Sequence, residues 1–383
     1  MDNSIVISTP PHVKSSRTTR RIMLDVLIAL APAAICGIVY FLLDAFILEI
    51  TCVAFAVIAE FVYYFIAKGG FNVRFADAET KELSKKIKEL KKAGQPVEEL
   101  AAARKEKYAE LRAKAFAKSR GVCISWVKQF DFTSVVTGLI LALILPPTAN
   151  WYEAAIGAAF AIIIVKMVFG GTGRNIANPA AVGRVFMFIS FALTTYTAAH
   201  FAAIDGDTLS TGATYLSGYL LADKPDVGAM SLVDLFLGTG LAGCIGETCK
   251  LALIVGYVYL VVRRVIKWWQ PVLYLAVAGL FTVIFNGFDF AFFLPSILSG
   301  GIMFGGIFMM TDYVTSPKGV YGQIVYYAVG GFLTAALRHL TGLEVCSFVI
   351  ILMNLFVPLI DRYIRRRPFG YRKEKKNKEG EAK

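Results

Sequence analysis

The chain has 383 residues, a formal net charge of +12 and a hydrophobic fraction of 56%, and its mean hydropathy is +0.60. Soluble domains contain about 45–50% apolar residues, whereas many windows of this chain run for about twenty residues with almost no charge. These features exclude an ordinary soluble protein and predict an all-α, polytopic membrane protein with about ten transmembrane helices. The six cysteines form no Cys-x-x-Cys pair and the three histidines are scattered, so no metal site is predicted.

The first third of the chain contains two apolar segments and a charged insert. Residues 1–21 are a predicted cytoplasmic segment ending in a basic cluster, and residues 22–67 supply transmembrane helices 1 and 2, at 22–43 and 46–67. Residues 68–128 contain 16 Lys or Arg and 8 Asp or Glu, a net charge of +8. Their composition predicts a cytoplasmic insert of solvated helices, broken at 94–96. Since no regular interleaving of aromatic residues with the charges supports it, nucleic-acid binding is not predicted.

Apolar segments resume after the insert. Residues 129–361 hold predicted transmembrane helices 3–10, interrupted by a polar loop at 200–230, and a basic cytoplasmic tail covers 362–383. The eight predicted helices lie at 132–149, 151–169, 179–199, 231–262, 271–286, 290–310, 323–340 and 345–361.

Charge is distributed unequally between the two sides of the predicted membrane domain. With both termini in the cytoplasm, the basic clusters and the insert fall on the inside, and the polar loop with its aspartates falls on the outside. This distribution follows the positive-inside rule, with Arg338 as the main exception. The net charge is therefore explained without nucleic acid, and the 200–230 loop is predicted to face outward.

Two glycine-rich stretches break the helical pattern, at 169–179 and at 238–247. Irregular backbone at membrane depth is stable only where it is buried in protein or lines a cavity, and paired broken helices are typical of transporter-like repeats. A possible two-fold internal repeat relates 136–147 to 299–317. The stretch 238–243 also matches a dinucleotide-binding fingerprint, but no strand precedes it and no acid follows at the required distance, so close helix packing is predicted instead.

Charged side chains inside predicted spans are costly and are candidates for function. Asp25, Glu60 and Glu247 are predicted candidates for an ion path, against the alternative of structural hydrogen bonds to partner helices. Lys166 lies near the inner edge, where its side chain is expected to extend toward the cytoplasm.

The polar loop carries one short motif, Thr211-Gly212-Ala213-Thr214, preceded by Asp205. The two small residues would let another enzyme approach the backbone beside the hydroxyl of Thr214. Alone, the motif is also typical of an ordinary surface turn.

Further motifs are spread over nearly the whole chain outside the insert and the tail. They are Thr-Pro-Pro-His at 9–12, the stretch 136–147, Phe-Gly-Gly-Thr-Gly-Arg-Asn at 169–175 with Asn-Pro at 178–179, Gly-Glu-Thr at 246–248, the stretch 308–317, Asn354, and Pro-Leu-Ile-Asp at 358–361. Together they resemble the RnfD family, the D component of the Rnf complex, which is an ion-translocating ferredoxin:NAD oxidoreductase. A sister family with the same core is the B component of the sodium-translocating NADH:quinone reductase.

This resemblance implies flavin cofactors. FMN would be attached through its phosphate to Thr214, with Thr211, Gly212 and Ala213 completing the motif and Asp205 matching an upstream acid. A separate flavin transferase would form the phosphoester on the outer face, because a threonine hydroxyl is a poor nucleophile unaided. A second, non-covalent riboflavin is implied nearer the inner face, and we expect it at the 169–178 break, which ends at Asn178.

The resulting prediction is an electron-transfer subunit of an Rnf-type redox pump in the bacterial plasma membrane. It would act with other membrane and iron–sulfur subunits, would not be catalytic alone, and would couple electron flow to Na⁺ or H⁺ translocation. Two alternatives stay open: the flavin subunit of a quinone reductase, and a flavin-free channel or carrier.

Overall fold

The computed structural model describes residues 17–70, 82, 84–88, 98–191, 202–205, 208–211, 232–239 and 242–364. Apart from a short helical segment at 84–88, the α-helices within these residues are α1 (Thr19–Ala67), α2 (Glu98–Gln129), α3 (Thr133–Leu143), α4 (Trp151–Phe160), α5 (Pro179–Ser190), α6 (Leu232–Leu237), α7 (Lys250–Val262), α8 (Trp269–Phe285), α9 (Phe293–Leu298), α10 (Ile302–Phe304), α11 (Val320–Thr341) and α12 (Cys346–Tyr363). A π-helix continues α4 over Ala161–Met167, another continues α10 over Gly305–Met309, and a 3₁₀ turn at Phe290–Phe292 precedes α9.

Helix α1 is two membrane-length arms joined at a kink. Leu42 has non-helical dihedral angles, φ 52° and ψ −129°, which divide the helix into an outgoing arm, 19–41, and a returning arm, 43–67. This kink lies within two residues of the predicted gap between the first two spans. The arms are apolar on nearly every face, as expected of helices that contact both protein and lipid.

Several described helices suit a bilayer in length and composition. Three qualify alone, α1, α11 and α12, and a fourth candidate span is the pair Phe290–Leu298 and Ile302–Met309, which bends by 71°. Shorter apolar helices of 10–17 residues, such as α3 and α7, pack between them. This architecture supports a helical polytopic membrane protein, and the total of ten spans stays a prediction.

One part of the described chain departs from the all-α prediction. Strands β1 (Ala202–Asp205) and β2 (Thr208–Thr211) pair antiparallel, with Asp205 opposite Thr208 and Ala202 opposite Thr211. The Gly-Asp pair between them in the sequence is a typical hairpin connection. This hairpin belongs to the polar loop, where backbone groups can pair without a surrounding sheet.

The two predicted breaks behave differently. Residues 242–249 lie between α6 and α7 without helix, and this stretch pairs with the residues that follow α3: Gly246 N–H donates to the Leu143 carbonyl at 2.7 Å and Ile245 N–H to the Leu145 carbonyl at 3.1 Å. Leu143, Leu145 and Ile245 are fully buried. The irregular backbone therefore satisfies its hydrogen bonds inside the protein. The other break, 169–178, forms a loop over a cleft.

The charged insert is helical where it is described. Helix α2 runs unbroken through its second half, and residues 84–88 are also helical. Exposed ion pairs join Lys86 to Glu82 at 3.3 Å and Lys114 to Glu110 at 2.6 Å, which fits a solvated helix. The predicted break at 94–96 lies outside the described residues.

Candidate functional site

The predicted modification motif follows the β-hairpin directly. Asp205 ends β1 opposite Thr208, whereas Thr211, the first residue of the motif, ends β2 opposite Ala202. The hairpin therefore places the upstream acid and the start of the motif at opposite ends of the strand pair. Gly212, Ala213 and Thr214 lie outside the described residues, and the flavin attachment stays a prediction.

A cleft with a cavity volume of about 100 Å³ lies at the predicted inner edge of the membrane domain. Ligand sites have volumes of about 300–1,000 Å³, with apolar walls and a few converging polar groups. The cleft is smaller than that range but has the same kind of lining: its apolar wall includes Val136, Ile140 and Phe308, and its polar lining includes Thr133, Lys166, Thr172, Asn175, Asn178 and Asp312. Side chains able to carry chemistry therefore converge on this cleft.

The 169–178 loop forms one side of this cleft. Gly170, Gly171 and Gly173 all have positive φ, which explains why the loop is rich in glycine. Asn178 caps α5 by accepting the Ala180 and Ala181 N–H groups, and its Nδ2 donates to the Met309 carbonyl at 3.3 Å. Asn178 therefore fixes this loop to the second half of the protein. Both polar atoms of the Asn178 side chain already make hydrogen bonds within the protein, so its predicted cofactor contact would have to share them.

The position of Lys166 near the inner edge predicted a side chain that extends toward the cytoplasm, but the structure buries this side chain instead. The Lys166 side chain is 3% exposed and its Nζ lies 3.3 Å from Oε1 of Glu60, itself 13% exposed. Nζ also donates to the hydroxyl of Thr133. The prediction failed because the π-helix and the returning arm of α1 together enclose the side chain, and the acid it meets is 106 residues away in sequence.

The polar network continues from Lys166 toward the loop. The Thr133 hydroxyl donates to Oδ1 of Asp131 at 2.6 Å, and the Thr172 hydroxyl donates to Oδ2 of Asp131 at 2.9 Å. Glu60 stays a candidate for the inner end of an ion path, and its second oxygen, Oε2, is buried without a hydrogen-bond partner among the described residues. This arrangement links a buried acid to the polar lining of the cleft.

Two further groups line the cleft from the loop after the second π-helix. Burial raises the pKa of Asp312, although hydrogen bonds from the Val314 N–H and the Thr315 hydroxyl act in the opposite direction. Burial raises the pKa of Tyr313 to about 12, and the carboxylates of Asp312 and Asp131 add to the effect. The desolvated carboxyl of Asp312 is a functional candidate, because perturbed acids in clefts often carry function.

Asp25, another predicted ion-path acid, has strong partners. Its carboxylate accepts from Nε and Nη2 of Arg263 at 3.1 and 3.4 Å, and from the Tyr259 hydroxyl at 3.2 Å. This geometry ties the outgoing arm of α1 to the end of α7. It favours the structural alternative over an ion-carrying role for this residue.

Glu247 lies within a buried charged cluster. Its Oε1 accepts the Cys244 N–H at 2.8 Å, and Lys250 donates to the Glu247 carbonyl. Arg184 reaches the same region, with Nη2 at 3.9 Å from the sulfur of Cys244. The sequence analysis identified Glu247 but missed the two cations, since neither has a motif that would mark it.

Arg338, the exception to the charge asymmetry, belongs to the protein interior. Its side chain donates to the carbonyls of Ser296 and Ser299 at 3.0 and 3.2 Å, and it pairs with Glu344 at 2.5 Å. The positive-inside rule concerns basic residues in loops, so a buried, paired arginine is not an exception to it. Within the described residues, no group of three His, Cys, Asp or Glu side chains could hold a metal ion.

The sequence matches a known protein family over most of its length. The model of the NQR2, RnfD, RnfE family matches residues 6–80 and 115–370. The residues between these two matches, 81–114, all lie inside the predicted insert.

Curated relatives cover nearly the full length. The D component of the Na⁺-translocating ferredoxin:NAD⁺ oxidoreductase complex of Acetobacterium woodii is 32% identical over 376 residues, covering 97% of this chain and 98% of the relative. The D component of the proton-translocating ferredoxin:NAD⁺ oxidoreductase complex of Clostridium ljungdahlii is 31% identical over 381 residues, with coverage of 97% and 98%. The D component of an ion-translocating oxidoreductase complex of Alcanivorax borkumensis is 35% identical over 276 residues, with coverage of 67% and 80%.

Proposed function

Because the chain belongs to the NQR2, RnfD, RnfE family, we propose that it is the membrane electron-transfer subunit of an Rnf-type, ion-pumping ferredoxin:NAD⁺ oxidoreductase. The observation that carries this proposal is similarity over 97% of the chain to the D components of two ferredoxin:NAD⁺ oxidoreductases. The protein would work with other membrane and iron–sulfur subunits, and it would not be catalytic alone.

Two flavins belong to the proposal: FMN on Thr214, attached by a flavin transferase, and a non-covalent riboflavin in the inner cleft. Flavins supply one- and two-electron redox chemistry, and the protein supplies their binding, orientation and electrostatics. The motif at 211–214 supports the first flavin. The lining of the cleft supports the second, since a flat aromatic ring with a polar edge requires apolar walls and a few hydrogen-bonding groups.

Residues of the cleft have distinct roles in this proposal. Val136, Ile140 and Phe308 exclude water from the walls, and Thr137 and Asn175 offer hydrogen-bonding groups. Lys166 places a buried cation at the cleft, held by Glu60. A positive charge beside a flavin favours added electron density, so this lysine would tune the reduction potential.

The proposed location is the bacterial plasma membrane, crossed ten times, with both termini in the cytoplasm and the 200–230 loop on the outer face. The excess of basic residues in the predicted inner segments supports this orientation. The outer position of the loop would expose Thr214 to a transferase that works outside the cytoplasm.

Ion translocation, of Na⁺ or H⁺, is proposed to pass through intramembrane acids. Glu60 and Glu247 are the favoured residues. Glu247 is buried in the non-helical stretch, and Glu60 keeps one oxygen, Oε2, without a hydrogen-bond partner among the described residues, whereas Arg263 bonds both carboxylate oxygens of Asp25. If Glu60→Gln and Glu247→Gln both left transport and its coupling to electron flow unchanged, these two residues would be removed from the path.

In-gel fluorescence of the denatured protein tests the flavin proposal. The wild-type band should fluoresce yellow-green, Thr214→Ala should abolish the fluorescence, and Ser217→Ala, a hydroxyl in the same loop, should retain it. A dark wild-type band from a host that contains the transferase would instead support a flavin-free channel or carrier.

The family also includes the NQR2 component, so a flavin subunit of a quinone reductase remains the alternative function. The flavin chemistry would be the same and the electron acceptor different. Purification of the complex separates the two: a ferredoxin-type iron–sulfur partner supports the Rnf assignment, and quinone reduction by NADH contradicts it.

A further inference from the structure

The returning arm of α1 contains a buried acid that the sequence analysis passed over. Glu49 is 7% exposed, and its Oε1 has no hydrogen-bond partner among the described residues. An ionised carboxylate buried without a partner is costly, and acids retained in transmembrane helices commonly mark ion paths. Glu49 therefore requires a ligand or a proton that the protein fold alone does not explain.

The surroundings of Glu49 supply further oxygen atoms. Gly37 on the outgoing arm faces it: a Cβ placed on Gly37 would lie 3.5 Å from Oε1 of Glu49 and 3.2 Å from the Ile245 carbonyl oxygen. Both oxygens therefore lie beside the glycine, together with the Ile245 side chain, whose Cγ2 would be the atom nearest to the same Cβ. The Thr248 hydroxyl lies 3.3 Å from the same carbonyl oxygen.

The Ile245 carbonyl is available because it belongs to the non-helical stretch 242–249. A carbonyl oxygen has two lone pairs, and the Thr248 hydroxyl uses one of them. In membrane transporters, unwound backbone carbonyls at broken helices coordinate monovalent cations. We propose that Glu49, the Ile245 carbonyl and the Thr248 hydroxyl form a site for the transported monovalent cation. This proposal rests on the proposed ion-pumping function.

The site has a counterpart at the inner end of the same helix. Glu60 follows Glu49 by eleven residues, which is close to three turns, so the two acids share one face about 16 Å apart along the axis. Each has a buried oxygen without a hydrogen-bond partner within the described part of the chain, Oε1 of Glu49 and Oε2 of Glu60. Two similar acids on one helix face would provide two successive cation-binding positions along one path, called stations below.

A close helix contact separates the two acids. A Cβ on Gly138 of α3 would lie 2.7 Å from the Cys52 carbonyl and 3.0 Å from the Ala56 Cβ, so α3 packs directly against the backbone between Glu49 and Glu60. In the proposed path, this close packing would separate an inner station at Glu60, beside the cleft, from a station at Glu49, and passage between them would require α3 to move away from the returning arm.

The test uses the complete complex reconstituted in proteoliposomes, with Na⁺ uptake and lumenal pH followed during ferredoxin-driven NAD⁺ reduction. Glu49→Gln should lower the number of cations moved per electron at least about tenfold, because loss of even an indirect partner at a metal site costs about 10–100-fold in affinity. Glu153→Gln is the matched control: Glu153 is 1% exposed but accepts from Asn150 at 3.1 Å, and it should retain the wild-type ratio.

The readouts separate the possible failures. If Glu49→Gln moves as many cations per electron as wild type, the site is wrong. If the wild-type complex transfers electrons but moves neither cation, the proposed pumping function fails instead. The cation whose transport is lost in Glu49→Gln, Na⁺ or H⁺, is the ion that this site binds.

A second measurement on the wild-type complex covers the case in which Glu49→Gln does not assemble. Dicyclohexylcarbodiimide modifies protonated carboxyls buried in membranes, and mass spectrometry locates the product. Glu49 should be labelled, and either added Na⁺ or a higher pH should slow the labelling. Labelling that neither condition changes, or no labelling of Glu49, contradicts the proposal.

Discussion

At the scale of single residues, the pair formed by Lys166 and Glu60 illustrates what local sequence patterns cannot predict. Lys166 follows a run of apolar residues near a predicted membrane edge, which favours a side chain extending to water. The structure encloses it with an acid from the returning arm of α1, at 3.3 Å. Glu60 was predicted as functional from its depth alone, but its partner depends on which helices pack together.

We predict that Lys166→Met destabilises the protein by about 3–5 kcal/mol, because it leaves the Glu60 carboxylate buried without its cation. Chemical unfolding of the purified protein in detergent measures this loss. The double variant Lys166→Met with Glu60→Gln should recover most of it, since no buried charge is then unpaired. A single variant as stable as wild type would show that the pair contributes nothing to the fold.

Asp312 should make stability depend on pH. Burial raises its pKa above the usual 3.8 in the folded protein, so its contribution to stability is complete below that value and is lost as the pH rises through the folded pKa. We expect the Tm of wild type relative to Asp312→Asn to fall as the pH rises above about 4 and through the raised folded pKa. A difference that is constant, or that grows with pH, would contradict a raised pKa.

At the scale of elements, glycine content identified the irregular stretches and apolar run length identified the helices. The breaks near 169–179 and 238–247 and the turn near Leu42 were all predicted. The π-helices at Ala161–Met167 and Gly305–Met309 were not, because a π-helical segment has no distinct hydrophobic period in the sequence. The pairing of 242–249 with the end of α3 also required tertiary contact.

That pairing predicts a sharp effect at Gly246. A Cβ there would lie 2.6 Å from the Leu143 Cβ, so Gly246→Ala should separate the two segments and destabilise the protein by about 1–3 kcal/mol. Gly121→Ala is the control, because no atom lies within 4 Å of its Cβ position in α2, and it should be neutral or slightly stabilising. Thermal unfolding of both variants makes the comparison, and equal Tm values would refute the close contact.

At the scale of the whole molecule, charge distribution predicts orientation without any motif. The asymmetry needed one exception, Arg338, and the structure removes it by burying that residue with Glu344. Composition and apolar run length were sufficient to predict a helical membrane protein, while the total of ten spans stays a prediction. They could not predict the cleft, whose lining comes from segments far apart in the chain, including Met23, Thr137, Asn175 and Tyr313.

A reporter enzyme that is active only outside the cytoplasm tests this orientation. Inserted after Gly218, in the polar loop, it should be active, and fused to the C-terminus at Lys383 it should be inactive. The opposite result would reverse the topology and place Thr214 where an outer-face transferase cannot reach it.

Intact mass spectrometry of the purified chain is the decisive test of the claim that Thr214 carries a covalent flavin. We predict that wild type, produced with its flavin transferase, is heavier than its sequence by one FMN, while Thr214→Ala has the mass of the unmodified chain. A wild-type protein with the bare mass of its sequence would contradict the claim, as would an FMN adduct that persists in Thr214→Ala.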